Sequence, residues 1–85
     1  GGRLIQTVKV PYSTLILGGK CDIRTPIGNS IRIDVMPGTQ IGDRRRIPGM
    51  SFDKADLDIE FSLEDKINLT ESQREILERL RNEGL

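Results

Sequence analysis

Apolar and polar residues alternate along most of this chain, and the period changes only near the end. Residues 4–10 (LIQTVKV) read as a strand with Leu4, Gln6, Val8 and Val10 on one face, Gln6 being the polar exception. Pro11 then opens YSTLIL, which stops at Gly18 and Gly19. Proline at the start and glycine after the end predict a short helix, with Tyr12, Leu15 and Ile16 on its buried face. Residues 20–25 alternate Cys21, Ile23 and Thr25 against Lys20, Asp22 and Arg24. Residues 30–36 alternate Ile31, Ile33 and Val35 against Ser30, Arg32 and Asp34. Pro26, Gly28 and Asn29 lie between these runs, so the pair predicts a β-hairpin.

Arg44–Ile47 predicts a short strand, and residues 48–55 a loop. Leu57–Leu63 predicts a longer strand with Leu57, Ile59, Phe61 and Leu63 facing in and Asp58, Glu60 and Ser62 facing out. The period then becomes helical. Thr70 followed by Gln73 is a capping-box pair, Glu71 suits the first turn, Arg79 and Arg81 suit the last, and Gly84 fits as the stop. The helix spans about residues 70–82, and Ile76, Leu77 and Leu80 form its apolar stripe, with Leu69 just before it. The expected fold is mainly β: a small antiparallel, β-sandwich-like domain with one short helix after the first strand and a C-terminal helix.

Eighty-five residues suffice for one domain, taken as 1–85, with a thin core. Thirteen basic side chains balance thirteen acidic ones, unlike the basic excess of a nucleic-acid or membrane-surface binder. No apolar run has the length of a membrane span. Histidine is absent, which removes the imidazole base, the His triad and the His metal ligand. Cys21 is the sole cysteine, so the chain holds neither an internal disulfide nor a thiolate zinc cluster. One tyrosine, two phenylalanines and no tryptophan leave little for base stacking.

The remaining chemical signals are weak. PGTQIGDRRRIPGM, residues 37–50, is rich in glycine and arginine, but a P-loop needs Lys followed by Ser or Thr at the mouth of a helix. Its glycines read as turns. Arg44, Arg45 and Arg46 admit a phosphate contact; the favoured reading is a solvated strand, Arg44 and Arg46 pointing one way and Arg45 and Ile47 the other. The acidic residues between Asp53 and Asp65 lack the spacing of a calcium loop and read as solvated. Cys21 alternates with Ile23 and reads as a small buried side chain. No catalytic, cofactor or metal residue is expected, and the chain does not read as an enzyme. The terminal stripe has two readings: packing on the chain's own sheet, or on a second copy.

Three segments in series, VKVPYSTLILGG (8–19), IRIDVMPGTQIGDRRRI (31–47) and DLDIEFSLEDKINLTESQREIL (56–77), resemble the C-terminal substrate-binding region of DnaJ-type J-domain co-chaperones. The likeness is to the second β subdomain of that region with its terminal helix, over about residues 4–81. The matching features are Leu17-Gly18-Gly19 after the short helix, the turn of Pro37, Gly38, Thr39, Gln40 and Gly42, the opening Asp56-Leu57, and Leu69-Thr70 before the last helix. IPGMSFDKAD departs from the family, whose loop is longer and carries a basic, glycine-containing segment, and Ala55 replaces the usual glycine. The family's His-Pro-Asp motif has no counterpart in a chain without histidine.

The resemblance implies a piece of a longer co-chaperone that binds unfolded polypeptide clients, homodimerises and supports a heat-shock ATPase chaperone through the full-length protein. It implies no ATPase-stimulating J-domain in this chain, no cofactor, and neither nucleic acid nor membrane as partner. The implied location is intracellular: the cytoplasm, or a mitochondrion or other organelle. Dimerisation is expected of Leu69, Ile76, Leu77 and Leu80. Val8, Val10 and Ile23 on the first strands are the candidates for client contact, with core packing the favoured role for each. A weak nucleic-acid-binding module and a purely structural β module are the alternatives.

Overall fold

In a computed structural model, residues 4–66 and 68–85 are described. The order is β1 (Ile5–Val10), α1 (Tyr12–Leu17), β2 (Gly19–Arg24), β3 (Ser30–Val35), β4 (Arg44–Ile47), β5 (Leu57–Leu63) and α2 (Glu71–Asn82). A 3-10 turn, Phe52–Lys54, interrupts the loop before β5.

β2 and β3 form the expected antiparallel hairpin, with Cys21 opposite Ile33 and Ile23 opposite Ile31. β1, β5 and β4 form a second sheet with β5 in the centre. β4 runs antiparallel to β5, Arg45 opposite Ile59. β1 runs parallel to β5, Val8 opposite Phe61, so one of the three pairings departs from the antiparallel expectation. Parallel strands need a long crossover. Here the hairpin and β4 supply it, and alternation within a strand carries no information about which distant strand lies beside it.

One core joins the two sheets: Val8 and Val10 of β1, Leu15 of α1, Ile23 of β2, Ile33 and Val35 of β3, and Leu57, Ile59 and Phe61 of β5. Leu57 and Ile59, on the central strand, have no exposed surface. Full burial of such a side chain stabilises by about 1.5–3 kcal/mol. α1 supplies only Leu15 to this core; Tyr12 and Ile16, expected on the same buried face, are each 47% exposed. Leu4, just before β1, at 43% and Leu63, the last residue of β5, at 38% also stay open. Gln6 is half-buried because its amide donates to the Arg24 carbonyl at 2.8 Å.

The turn after β3 closes on itself. The Thr39 hydroxyl donates to the Met36 carbonyl at 2.6 Å, and the Gln40 N–H donates to the Asp43 carboxylate at 2.9 Å. The Gly38 N–H reaches back to the Ile16 carbonyl at 3.1 Å, fastening the turn to the end of α1.

Candidate docking groove

α2 forms as its sequence predicts. The Thr70 hydroxyl accepts from the Gln73 N–H at 3.1 Å, and the Gln73 side chain accepts from the Thr70 N–H at 3.0 Å. This reciprocal pair satisfies two of the helix's orphan donors. The helix is strongly amphipathic, yet none of its residues is buried. Ile76 is 52% and Leu77 44% exposed, while Leu69 and Leu80 are half-buried.

The stripe faces a groove of about 1110 Å³ whose opposite wall is α1 and the end of β5. Tyr12, Ile16, Leu17 and Leu63 line that wall. Leu69, Ile76, Leu77 and Leu80 line the α2 side, so the structure brings all four expected dimerisation residues into one surface. The lining is mainly apolar, with Glu64 and Lys66 among its charged residues. Tyr12, Ile16 and Leu63 have the sequence spacing of buried residues and complete the groove instead. Periodicity alone does not flag them, because it predicts burial without saying what buries the side chain.

The three client-contact candidates take the core role the sequence favours. Val8, Val10 and Ile23 are core residues, exposed by 6%, 1% and 6%, and offer no surface to a client in this conformation. Their alternation with polar neighbours serves to join the sheets.

The arginine strand is occupied by intramolecular contacts. Arg44 pairs with Glu60 and Arg46 with Asp58, each at 3.3 Å across the β4–β5 ladder. Arg45 points to the other side, over the Phe61 ring, and donates from Nη1 to the Asp34 carbonyl. Asp22 and Arg32, opposite one another in the hairpin, pair at 2.9 Å. The hydrogen bond from Arg32 holds the Asp22 carboxyl below its ordinary range. Cys21 is half-buried, and that burial pushes its thiol above its ordinary range. Among the described residues no cluster of His, Cys, Asp or Glu could hold a metal ion, and no helix is long and apolar enough to cross a membrane.

No family model matches the chain. Curated relatives do. The chain is 34% identical over 88 residues to the chaperone protein DnaJ of Paracoccus denitrificans, covering 91% of this chain and 23% of that protein. It is 36% identical over 84 residues to DnaJ of Sinorhizobium medicae, covering 92% and 22%. It is 31% identical over 90 residues to DnaJ of Rhodospirillum centenum, covering 99% and 24%. The chain thus spans about a quarter of the length of the relatives it matches. The resemblance carried by the three sequence segments and these near-full-length alignments agree: the chain belongs to the DnaJ chaperone family, as a stretch of it.

Proposed function

We propose that this chain is the dimerising module of a DnaJ-type co-chaperone that holds unfolded polypeptide clients in support of a heat-shock ATPase chaperone. One observation carries the dimer reading: α2 presents a capped apolar stripe with no buried residue, and that stripe forms one wall of an apolar groove. A two-fold dimer that brings the two grooves, each walled by its own α2 stripe, against one another covers the apolar surface of both copies. Leu69, Ile76, Leu77 and Leu80, which line the groove, are the residues this reading assigns to the contact. Two copies then present two client-binding arms to one long unfolded chain, and the second contact gains from effective concentration. The module has no catalytic step and no cofactor, and its place is inside the cell, in the cytoplasm.

The alternatives gain less support. Phosphate binding would draw on Arg44, Arg45 and Arg46, whose guanidinium groups already engage Glu60, Asp58, the Phe61 ring and the Asp34 carbonyl. A purely structural module leaves the groove without a purpose.

Sedimentation equilibrium over a wide concentration range, on the parent chain and on Leu77→Asp, tests the reading. The parent is expected to dimerise and the variant to remain a folded monomer. A parent that stays monomeric at high concentration would overturn it. Client holding is tested separately, by suppression of aggregation of an unfolded protein without ATP; no effect at large molar excess counts against it.

A further inference from the structure

β2 and β3 form a sheet of two strands, so among the described residues each strand has one side without a ladder partner. The Thr25 N–H donates to the Asn29 carbonyl at 2.8 Å, which fixes the phase of the ladder. Directly opposed residues of an antiparallel pair alternate between bonded and unbonded. Ile23 with Ile31, Cys21 with Ile33 and Gly19 with Val35 are then the bonded pairs. Lys20, Asp22 and Arg24 of β2, and Ser30, Arg32 and Asp34 of β3, turn their backbone N–H and C=O groups outward. The Asp22–Arg32 ion pair fits this phase, because side chains of an unbonded pair lie closer together. Rows of outward backbone groups are a template on which another chain can add a strand.

Two of these outward carbonyls are occupied, at diagonal corners of the hairpin. The carbonyl of Arg24, beside the turn on β2, accepts from Gln6 Nε2 at 2.8 Å. The carbonyl of Asp34, near the open end on β3, accepts from Arg45 Nη1. Both donors come from the other sheet, one from each strand flanking β5. Gln6 lies on the face of β1 that carries Val8 and Val10 into the core, and Arg45 shares its face of β4 with Ile47, which packs against that core. These are positions where strand periodicity calls for an apolar side chain, and each holds a donor instead. An incoming strand would have to displace that donor, leaving a half-buried amide or guanidinium without its acceptor.

We infer that Gln6 and Arg45 are edge guards, which hold the outward carbonyls of Arg24 and Asp34 and so keep the hairpin from pairing edge to edge with the hairpin of a second copy. The device concerns strand edges and is independent of the groove.

The test follows thioflavin T fluorescence and light scattering of the full chain, held folded below its unfolding midpoint. Gln6→Met and Arg45→Met keep an unbranched stem of similar reach and remove the donor. Each is expected to form thioflavin-positive aggregate about fivefold faster than the parent, the factor in association that one hydrogen bond contributes. The double variant should reach about twenty-fivefold, because sites at separate edges act independently. Circular dichroism checks that the variants are folded. The control is Ile59→Val or Ile59→Ala, whichever matches their urea midpoint; it loses core contacts, keeps both guards and should aggregate more slowly than they do. Variants that aggregate no faster than the parent overturn the inference. A control that aggregates as fast as they do also overturns it, since lost stability then explains the effect. Acceleration by one variant alone overturns the paired device.

Discussion

The guanidinium of Arg45 lies over the Phe61 ring, 5.4 Å from the centroid, and the same side chain donates to the Asp34 carbonyl. Arg45 is on β4, Phe61 on β5 and Asp34 on β3, so one side chain ties the two sheets together. A cation over a ring and a charge-assisted hydrogen bond stabilise by about 1 kcal/mol each when partly shielded from water. Arg45→Ala is therefore expected to lower unfolding stability by about 1–2 kcal/mol in urea titration. Arg44→Ala removes only an exposed pair with Glu60 and should cost less than about 1 kcal/mol. Equal losses for the two variants would refute the special place of Arg45.

Ile59 sits on the central strand of its sheet with no exposed surface. Ile59→Ala should cost about 2–5 kcal/mol, the transfer loss plus a cavity. The urea midpoint should fall with the slope unchanged. A loss below about 1 kcal/mol would mean that the two sheets share less of a core than their contacts indicate.

Gly18 ends α1 at φ +81°, and a Cβ there would lie 2.9 Å from both the Pro37 side chain and the Val35 carbonyl. Gly38 has the same φ, but a Cβ there would meet nothing within 4 Å. Gly38→Ala should cost about 1 kcal/mol for backbone strain, and Gly18→Ala clearly more, because a proline ring and a backbone carbonyl must also shift. Thermal unfolding of both variants separates strain from collision.

Thr70→Ala removes one half of the capping box and should weaken α2 by about 1 kcal/mol. No residue of α2 is buried, so the β core should unfold at the same urea concentration in dilute solution. Helical circular dichroism should fall, and dimerisation should weaken. A drop in core stability in the dilute protein would show that α2 supports the sheets.

Burial raises the Cys21 thiol, the Asp22 carboxylate adds to the rise, and Arg45 opposes it. A thiol that ionises less readily when folded binds its proton more tightly in the native state. Its contribution to stability is complete below the unfolded thiol's pKa and is lost as pH rises through the folded value. Native Cys21 should react with iodoacetamide more slowly than the urea-unfolded chain near pH 8, where an ordinary thiol is partly ionised. Equal rates would contradict the shift.

The candidate site was half legible in the sequence. Leu69, Ile76, Leu77 and Leu80 declare one apolar stripe by their spacing, and the structure keeps them together. The other wall was hidden, because Tyr12, Ile16 and Leu63 follow the same pattern as Leu15 and Phe61, which are buried. The pattern records that a side chain avoids water, whether its cover comes from the same chain or from another.

Local chemistry by itself determined the elements of this protein: alternation set the strands, proline and glycine bounded α1, and Thr70 with Gln73 started α2. It set the hairpin too, since β2 and β3 meet through a short turn. Tertiary structure alone decided that β1 lies parallel to β5 and that α2 leaves its stripe open. The reason is physical: spacing along a strand or helix specifies which residues share a face, whereas the partner of that face depends on contacts between residues far apart in the chain.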